Sequence, residues 1–331
     1  MTRLHGTRLL GTGSAVPARV FRNDEFPTTL ETSDEWIRTR TGIRERRICA
    51  SGETTSTLGI EAGRRAIAAA GLKSSDIDLI ICATLTPDML VPSAACLIQA
   101  GLQCKGGAFD LNAACSGFVY ALVVADQFIQ SGACRNVLIV GSDTMSRVVD
   151  FSDRNTCVLF GDGAGAVVLG RDEDASGGSW FRLYADGKRQ QWVQLGGMAL
   201  REPGTSQPLP TRPDNLDYLR MNGREVFKFA VTTFAKLVRE VLSENELTAD
   251  DIDLVVPHQV NQRILDAACE QISFPREKLV VNLDRYGNTS GGSVPIALDE
   301  AIRTGRARRG QRILLVAFGG GLTWSSALVR V

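Results

Sequence analysis

The chain has 331 residues, 44% of them hydrophobic, and 37 basic residues balance 37 acidic ones. That is enough apolar material for one large core or two ordinary ones, and no block of like charge marks nucleic acid or an anionic membrane as the main partner. No apolar stretch approaches about 18 residues and no signal-peptide core follows Met1, so a soluble, cytoplasmic protein is expected. Eight cysteines, at 49, 82, 96, 104, 115, 134, 157 and 269, form no Cys-x-x-Cys pair. This spacing suits neither a disulfide framework nor a zinc site, and no metal or cofactor is expected. The only histidines are His5 and His258.

Helical and strand patterns alternate throughout, which predicts an α/β protein with largely buried sheets. Arg8-Leu-Leu-Gly-Thr-Gly13 reads as a strand and turn, and residues 34–47 as a polar segment with Ser33 as N-cap and a basic end. Ser56 to Ala70 has helical periodicity and stops at Gly71. Leu79 to Thr84 is a buried strand, Ala94 to Ala100 a helix, and Gly107 to Leu111 the end of another strand. Phe118 to Gln130 is too long an apolar run for a strand and ends at Ser131-Gly132 like a helix. Asn136 to Ser142 is a strand, and Cys157 to Gly170 reads as an apolar segment, a glycine turn and a strand. Gln190 to Asp217 carries Pro203, Pro208, Pro210 and Pro213 without a period, and reads as an excursion or flap rather than a domain boundary.

The chain also resembles itself at a spacing of about 175 residues. Ser75-Asp-Ile-Asp-Leu-Ile-Ile81 recurs as Asp250-Asp-Ile-Asp-Leu-Val-Val256, each copy following an amphipathic helix. Ala114-Cys-Ser-Gly117 falls opposite Asn288-Thr-Ser-Gly291, and Val137 to Val140 opposite Ile313 to Val316. Three matches in one order predict a duplicated α/β unit, divided here as residues 1–175 and 176–331. Ligand sites in such folds lie at strand C-terminal ends where the units meet.

Candidate chemistry gathers at those ends. Cys115 sits between a strand and the start of a buried helix, where unpaired amides and the helix dipole lower a thiol pKa from its usual value of about 8.5; a small buried hydrophobe is the alternative role. His258 follows the strand Leu254–Pro257 at the matching mouth of the second unit, although a lone histidine there is more often a satisfied polar residue. Asn288, in Gly-Asn-Thr-Ser, is ordinary turn chemistry as well as a possible oxyanion donor. Phe318-Gly-Gly-Gly-Leu-Thr-Trp324 is either a tight connection or a place where a backbone N–H approaches a carbonyl. Gly11-Thr-Gly13 and Gly161-Asp-Gly-Ala-Gly165 are not dinucleotide fingerprints.

Asn-Ala-Ala-Cys115-Ser-Gly-Phe, Val-Pro-His258-Gln-Val-Asn261, Gly-Asn288-Thr-Ser and Phe318-Gly-Gly-Gly-Leu-Thr-Trp together resemble the β-ketoacyl-acyl-carrier-protein synthase III family. So do Thr-Ser-Asp-Glu-Trp36-Ile-Arg-Thr-Arg40-Thr-Gly-Ile-Arg-Glu-Arg and Phe-Gly-Asp-Gly-Ala-Gly, over about residue 8 to 331. The resemblance implies the thiolase fold, two duplicated α/β halves in five αβαβα layers, usually as a homodimer. It implies a ping-pong condensation: Cys115 takes an acyl group from acyl-coenzyme A, malonyl-acyl carrier protein is decarboxylated, and a 3-oxoacyl-acyl carrier protein leaves. Cys115 and Gly320 amides would form the oxyanion hole, with His258 and Asn288 donating to the malonyl thioester. Asn288, where elongation enzymes use a second histidine, points to the initiating class.

By the same likeness Trp36 stacks on the adenine, with Arg154 on its other face and Arg40 near the phosphates, while Asn261 and Phe227 line the pantetheine tunnel. Arg224, Lys228 and Arg263 would face the acidic carrier protein. Val91 stands where some relatives place a bulkier aromatic across the dimer, which predicts tolerance of primers longer or more branched than acetyl. Two other readings stand beside this one: an acyltransferase or condensing enzyme of specialised, polyketide-type metabolism, and a non-catalytic acyl or carrier-protein binding module. A biosynthetic thiolase is disfavoured, because its second catalytic cysteine near the C-terminus has no counterpart after Cys269.

Overall fold

The computed structural model describes residues 6–172, 179–196 and 217–331. In chain order the elements begin with β1 (Gly6–Ala15), β2 (Val20–Arg22), α1 (Asp34–Thr41), β3 (Glu45–Arg47), α2 (Thr55–Ala69), β4 (Leu79–Ala83) and α3 (Ala94–Leu102). Then come β5 (Gly107–Leu111), α4 (Gly117–Gln130), β6 (Asn136–Thr144), β7 (Asp162–Asp172), β8 (Trp180–Ala185), β9 (Val193–Gln194) and β10 (Arg220–Met221). The chain closes with α5 (Gly223–Glu244), β11 (Leu254–Pro257), α6 (Gln262–Ile272), α7 (Leu283–Tyr286), α8 (Ser293–Arg303), β12 (Arg312–Gly319) and β13 (Thr323–Arg330).

Two sheets repeat one topology. The first runs β1-β7-β6-β4-β5, with β4 parallel to both β5 and β6, and β7 antiparallel to β6 and β1. The second runs β8-β13-β12-β11, with β11 parallel to β12, and β13 antiparallel to β12 and β8. A parallel bridge from Val255 to Leu279 supplies the counterpart of β5. Order and sense therefore correspond strand for strand.

Side-chain alternation along these strands builds the layers. Ile80 and Cys82 of β4 pack with Leu58, Ala62 and Ala66 of α2 and Ile98 of α3. On the opposite face Leu79 and Ile81 meet Phe118 and Leu122 of α4, together with Val294 and Leu298 of α8. The same inner cluster holds Val256 of β11 and Leu315 of β12, while Val255 and Leu314 turn outward to Phe234 of α5 and Leu265 of α6. The order is α2/α3, first sheet, α4/α8, second sheet, α5/α6: the five-layered thiolase fold. Both central helices start near the C-terminal ends of the parallel strands, β4 and β6 in the first sheet and β11 and β12 in the second.

Three details differ from the sequence reading. The glycine turn expected in Cys157–Gly170 does not exist, because Gly163 and Gly165 lie within β7. A Cβ on Gly165 would stand 2.6 Å from Ile296 N, so the glycines let α8 lie directly on the strand. Likewise Gly11 and Gly13 are inside β1 rather than in a turn, each under the backbone of α2. Local pattern could not separate these from turns, since the cause is a helix far away in sequence. The register of the repeat also shifts: Ala114 (φ 47°) and Ser290 (φ 49°) each open the short turn before a central helix. Asn112 Oδ1 accepts from Ala114 N at 3.1 Å and Asn288 Oδ1 from Ser290 N at 2.8 Å. Asn288 is thus the counterpart of Asn112, two residues from the expected match with Ala114.

The ends of the Gln190–Asp217 excursion are anchored: β9 pairs with β10, and Leu219 N donates to Val148 O at 2.8 Å. Its interior, 197–216, lies outside the described residues.

Candidate active site

Cys115, His258, Asn288, Gly319 and Gly320 line one narrow cavity, closed by Phe160, Val193, Met221, Val226, Phe229, Val260, Phe318 and Leu322. The sulfur comes from the first repeat, and the imidazole and carboxamide from the second. Cys115 is in the turn Ala114–Ser116 at the head of α4. Gly319 lies against it so closely that a Cβ would be 2.7 Å from Cys115 N. Cys115 and Gly320 line the same cavity, so their backbone N–H groups are the candidate pair for a carbonyl oxygen.

His258 N donates to Val316 O at 2.7 Å, which carries the β11–β12 pairing one residue further and fixes the imidazole at the strand mouth. The side chain is 1% exposed and packs edge-on against Phe318. Its Nδ1 is 2.6 Å from Ser293 Oγ, an oxygen that also accepts from Gln259 N at 3.4 Å. With Gln259 N on one lone pair, the serine hydroxyl is placed to give its proton to Nδ1, the arrangement that keeps the ring proton on Nε2 as a donor. Burial pushes the His258 pKa down to about 3. The imidazole is neutral throughout the physiological range.

A pH prediction follows, with its sign fixed by linkage. The unfolded chain protonates its histidine below about 6.5 while the folded chain does not, so this group's stabilisation is complete above pH ~6.5 and is lost as pH falls toward 3, at about 1.4 kcal/mol per pH unit. Unfolding of wild type and His258→Asn compared between pH 7 and 4 should show a shallower acid loss in the variant. Equal slopes would show that His258 titrates normally.

Cys115 departs from expectation. Although part of the residue's surface faces the cavity, burial pushes its thiol up to about 12. The Ser290 hydroxyl opposes that rise, and the Asp143 carboxylate adds to it. Dehydration thus opposes the helix terminus invoked from sequence. The resting site holds a neutral thiol beside a neutral imidazole.

The inner cavity holds about 40 Å³ and a pocket outside it about 340 Å³. Met221, Val226 and Val260 line both, which makes them one passage. Trp36, Arg40, Arg154, Phe227, Asn261, Arg224 and Arg263 all line the outer pocket. The guanidinium carbons of Arg40 and Arg154 lie 5.1 and 5.4 Å from the Trp36 ring centroid. Ser33 caps α1 by accepting from Trp36 N, which sets the indole on the first turn. Asn261 caps α6 through Arg263 N at 2.9 Å and donates Nδ2 to Arg40 O at 3.1 Å, so it ties the two walls together. Arg263 covers Phe227 at 6.0 Å. Lys228 stands apart from the lining, exposed and 3.0 Å from Glu225. Val91 does not line the cavity of its own chain; it is 86% exposed beside exposed Met89 and Leu90.

Sequence reasoning missed Val193 and Met221, which reach the cavity from the two ends of the proline-rich excursion. It also missed Arg46, only 1% exposed, which donates to Phe21 O, Asn23 Oδ1 and Val158 O and so braces the loop entering Phe160. Ser293 and Ser290 were hidden within what reads as turn chemistry. Among the described residues, no group of His, Cys, Asp and Glu could hold a metal ion, and no helix is long and apolar enough to cross a membrane.

Duplicated sheets that bring a cysteine from one half to a histidine and an asparagine from the other are the arrangement expected of a thiolase-fold condensing enzyme. Family models described as 3-oxoacyl-[acyl-carrier-protein (ACP)] synthase III and its C-terminal part match residues 109–187 and 242–331. The chain is 52% identical over 325 residues to the β-ketoacyl-[acyl-carrier-protein] synthase III of Xylella fastidiosa strain Temecula1, covering 98% of each chain. The crystal structure of 3-oxoacyl-[acyl-carrier-protein] synthase III from Aquifex aeolicus matches with a TM-score of 0.89 at 47% identity, covering 98% of this chain and 100% of that one. A priming β-ketosynthase from the R1128 polyketide biosynthetic pathway matches with a TM-score of 0.89 at 35% identity, covering 100% and 98%. The chain belongs to the β-ketoacyl-acyl-carrier-protein synthase III family. It is an acyl-transferring condensing enzyme of the class that initiates fatty-acid synthesis.

Proposed function

We propose that the enzyme works by ping-pong condensation through an acyl-Cys115 thioester, with acyl-coenzyme A as primer and malonyl-acyl carrier protein as extender. The observation that supports it is the single cavity shared by Cys115, His258, Asn288 and Gly320. In this reading Cys115 Sγ attacks the primer thioester while the Cys115 and Gly320 N–H groups take the developing oxyanion. The acyl chain stays on sulfur and coenzyme A leaves. The malonyl thioester then enters, and His258 Nε2–H and Asn288 Nδ2–H donate to its carbonyl oxygen as carbon dioxide departs. The enolate so held attacks acyl-Cys115, and the sulfur is released. Asn288 suits this role because its Oδ1 is already engaged by Ser290 N, which leaves the NH₂ as its free end. Carbon dioxide release that requires both acyl-coenzyme A and malonyl-acyl carrier protein, with 3-oxoacyl product on the carrier, tests the reaction. Acyl transfer without carbon dioxide release would favour the specialised-metabolism reading, which the match to the R1128 priming enzyme keeps in play.

Coenzyme A would lie in the outer pocket, its adenine on Trp36 and its phosphates near Arg40 and Arg154, with the pantetheine arm passing Phe227 and Asn261 to Cys115. Trp36→Ala should raise the KM for acyl-coenzyme A about 10-fold with kcat little changed, the loss expected for one stacking contact. A fall in kcat at unchanged KM would contradict this placement.

Arg224, Arg263 and, further out, Lys228 would receive the acidic carrier protein. The same reading makes residues 1–175 and 176–331 the two thiolase halves, a division supported by the matched strand orders. It places the enzyme in the cytoplasm, where its substrates are, and as a homodimer, for which the exposed Met89-Leu90-Val91 run is a suitable contact. There Val91 would reach the partner's acyl pocket. Its small side chain should let a branched or medium-chain primer turn over faster than acetyl-coenzyme A, and Val91→Phe should reverse the order. Acetyl-coenzyme A outperforming every longer primer in the wild type would refute the role of Val91.

A further inference from the structure

Asn288 is placed by its backbone. Asn288 N donates to Leu159 O at 2.8 Å, and Gly161 N donates to Asn288 O at 3.0 Å. These two bonds make a parallel bridge between Phe160 and Asn288, both of which line the cavity around Cys115. The carboxamide therefore stands where residues 158–161 put it, and these lie ahead of β7, outside any strand or helix. Arg46, a buried cation, packs against both sides of that bridge. A Cβ on Gly161 would stand 2.9 Å from Arg46 Cβ, and one on Gly287 3.4 Å. Beyond the stem the guanidinium divides its donors. Nη2 gives to Val158 O at 2.8 Å, while Nη1 gives to Asn23 Oδ1 at 2.9 Å and Phe21 O at 3.3 Å. Asn23 is fixed on its own account, since its Nδ2 donates to Asp34 Oδ1 at 2.9 Å and Ile43 O at 2.8 Å. The chain on either side of Arg46 is tied to the segments that form the bridge: Arg44 N donates to Asp284 O at 2.9 Å, and Cys49 N to Asp162 Oδ2 at 2.7 Å. Burying a cation is costly, and a site that needed only to be filled would hold an apolar side chain at less expense to the fold. Burial pulls the Arg46 pKa down to about 10, which still leaves the group charged at neutral pH with both ends of its fork available.

We propose that Arg46 is a positioning residue for the decarboxylation step: by clamping Val158 to the fixed Asn23 it holds the Leu159–Gly161 backbone, and through it sets the Asn288 carboxamide beside His258. A guanidinium serves here because its planar fork reaches two segments at once, which a single ammonium nitrogen does not. Without the clamp the bridge keeps its own two hydrogen bonds but loses the brace that fixes where the pair stands. A misplacement of about 1 Å in a catalytic group can cost on the order of 10²-fold in rate. The coenzyme A pocket is spared, because Asp34 at the head of α1 keeps its bond to Asn23 and Ser33 still caps the turn that carries Trp36.

The inference rests on the role given to Asn288 above, and one set of assays tells the two apart. Primer-free decarboxylation of malonyl-acyl carrier protein and acyl loading from acetyl-coenzyme A are measured separately in Arg46→Met, which keeps the apolar stem and removes the donors. The kcat for decarboxylation should fall about 30-fold with KM nearly unchanged, while loading stays within about threefold of wild type. Adding Arg46→Met to Asn288→Ala should slow decarboxylation by less than about threefold further, since the brace then has no carboxamide left to place. Arg46→Lys keeps the charge and gives up the fork, and should lie between, about tenfold below wild type. If Arg46→Met does not fold, Arg46→Lys and its combination with Asn288→Ala decide. Wild-type decarboxylation in these variants, an equal fall in both half-reactions, or losses that multiply in the double variant would overturn the positioning role. Decarboxylation unaffected by Asn288→Ala would instead overturn the role of Asn288 itself, and this inference with it.

Discussion

Cys115→Ala should lose condensation by on the order of 10⁵-fold, the scale reached when a covalent nucleophile is removed, while the chain stays folded. Structure gives the reason for both halves of that result. The side chain lies in a turn at the head of α4, where removing one sulfur costs little packing, and alanine already precedes it at Ala114. The oxyanion donors are backbone groups and survive the change. Primer-independent decarboxylation of malonyl-acyl carrier protein should therefore persist, because its donors come from the other repeat. Steady-state condensation, primer-free carbon dioxide release and thermal unfolding of the variant check all three statements. Condensation within about tenfold of wild type would remove Cys115 from the mechanism.

The second large effect is the reverse pattern. His258→Ala and Asn288→Ala should each slow decarboxylation by about 10²–10³-fold, the usual cost of one donor to a developing oxyanion. Acyl loading should continue in both, since neither side chain acts on the primer step. His258→Ala should also cost stability, because Ser293 Oγ, itself buried, loses its partner. The double variant should fall short of the product of the two single losses if both donate to one oxygen. Loading and decarboxylation assayed separately distinguish this from general damage, which would slow both. No dependence of decarboxylation on pH between about 5 and 8 should be traceable to His258, whose pKa burial holds at about 3.

The residues nearest the chemistry were the most legible ones. Cys115 and His258 each sit just after a strand, at a junction that hydrophobic pattern marks, while Asn288 stands between α7 and the short turn that opens α8. The duplication was visible because β4 and β11 keep the same apolar run after the same acidic turn. What sequence could not show depends on partners distant along the chain. Gly163 and Gly165 look like turn glycines until α8 is laid across β7. Arg46 belongs to a basic run that reads as solvated, yet it alone is folded inward to hold three carbonyl-type oxygens. Val193 and Met221 come from a stretch with no period, and only the β9–β10 pairing brings them to the cavity. The helix-terminus argument for Cys115 had the position right but could not see the opposing dehydration, because the apolar lining comes from Phe160, Phe229 and Phe318, residues from three separate segments.

The central claim is that sulfur, imidazole and carboxamide act on one thioester. Intact-mass measurement after incubation with a panel of acyl-coenzyme A thioesters, followed by digestion, tests it most directly. The account predicts a single acyl adduct located on Cys115 that discharges when malonyl-acyl carrier protein is added and remains in the His258→Ala and Asn288→Ala variants. An adduct on another of the eight cysteines, or an acyl-Cys115 that malonyl-acyl carrier protein does not discharge, would contradict it.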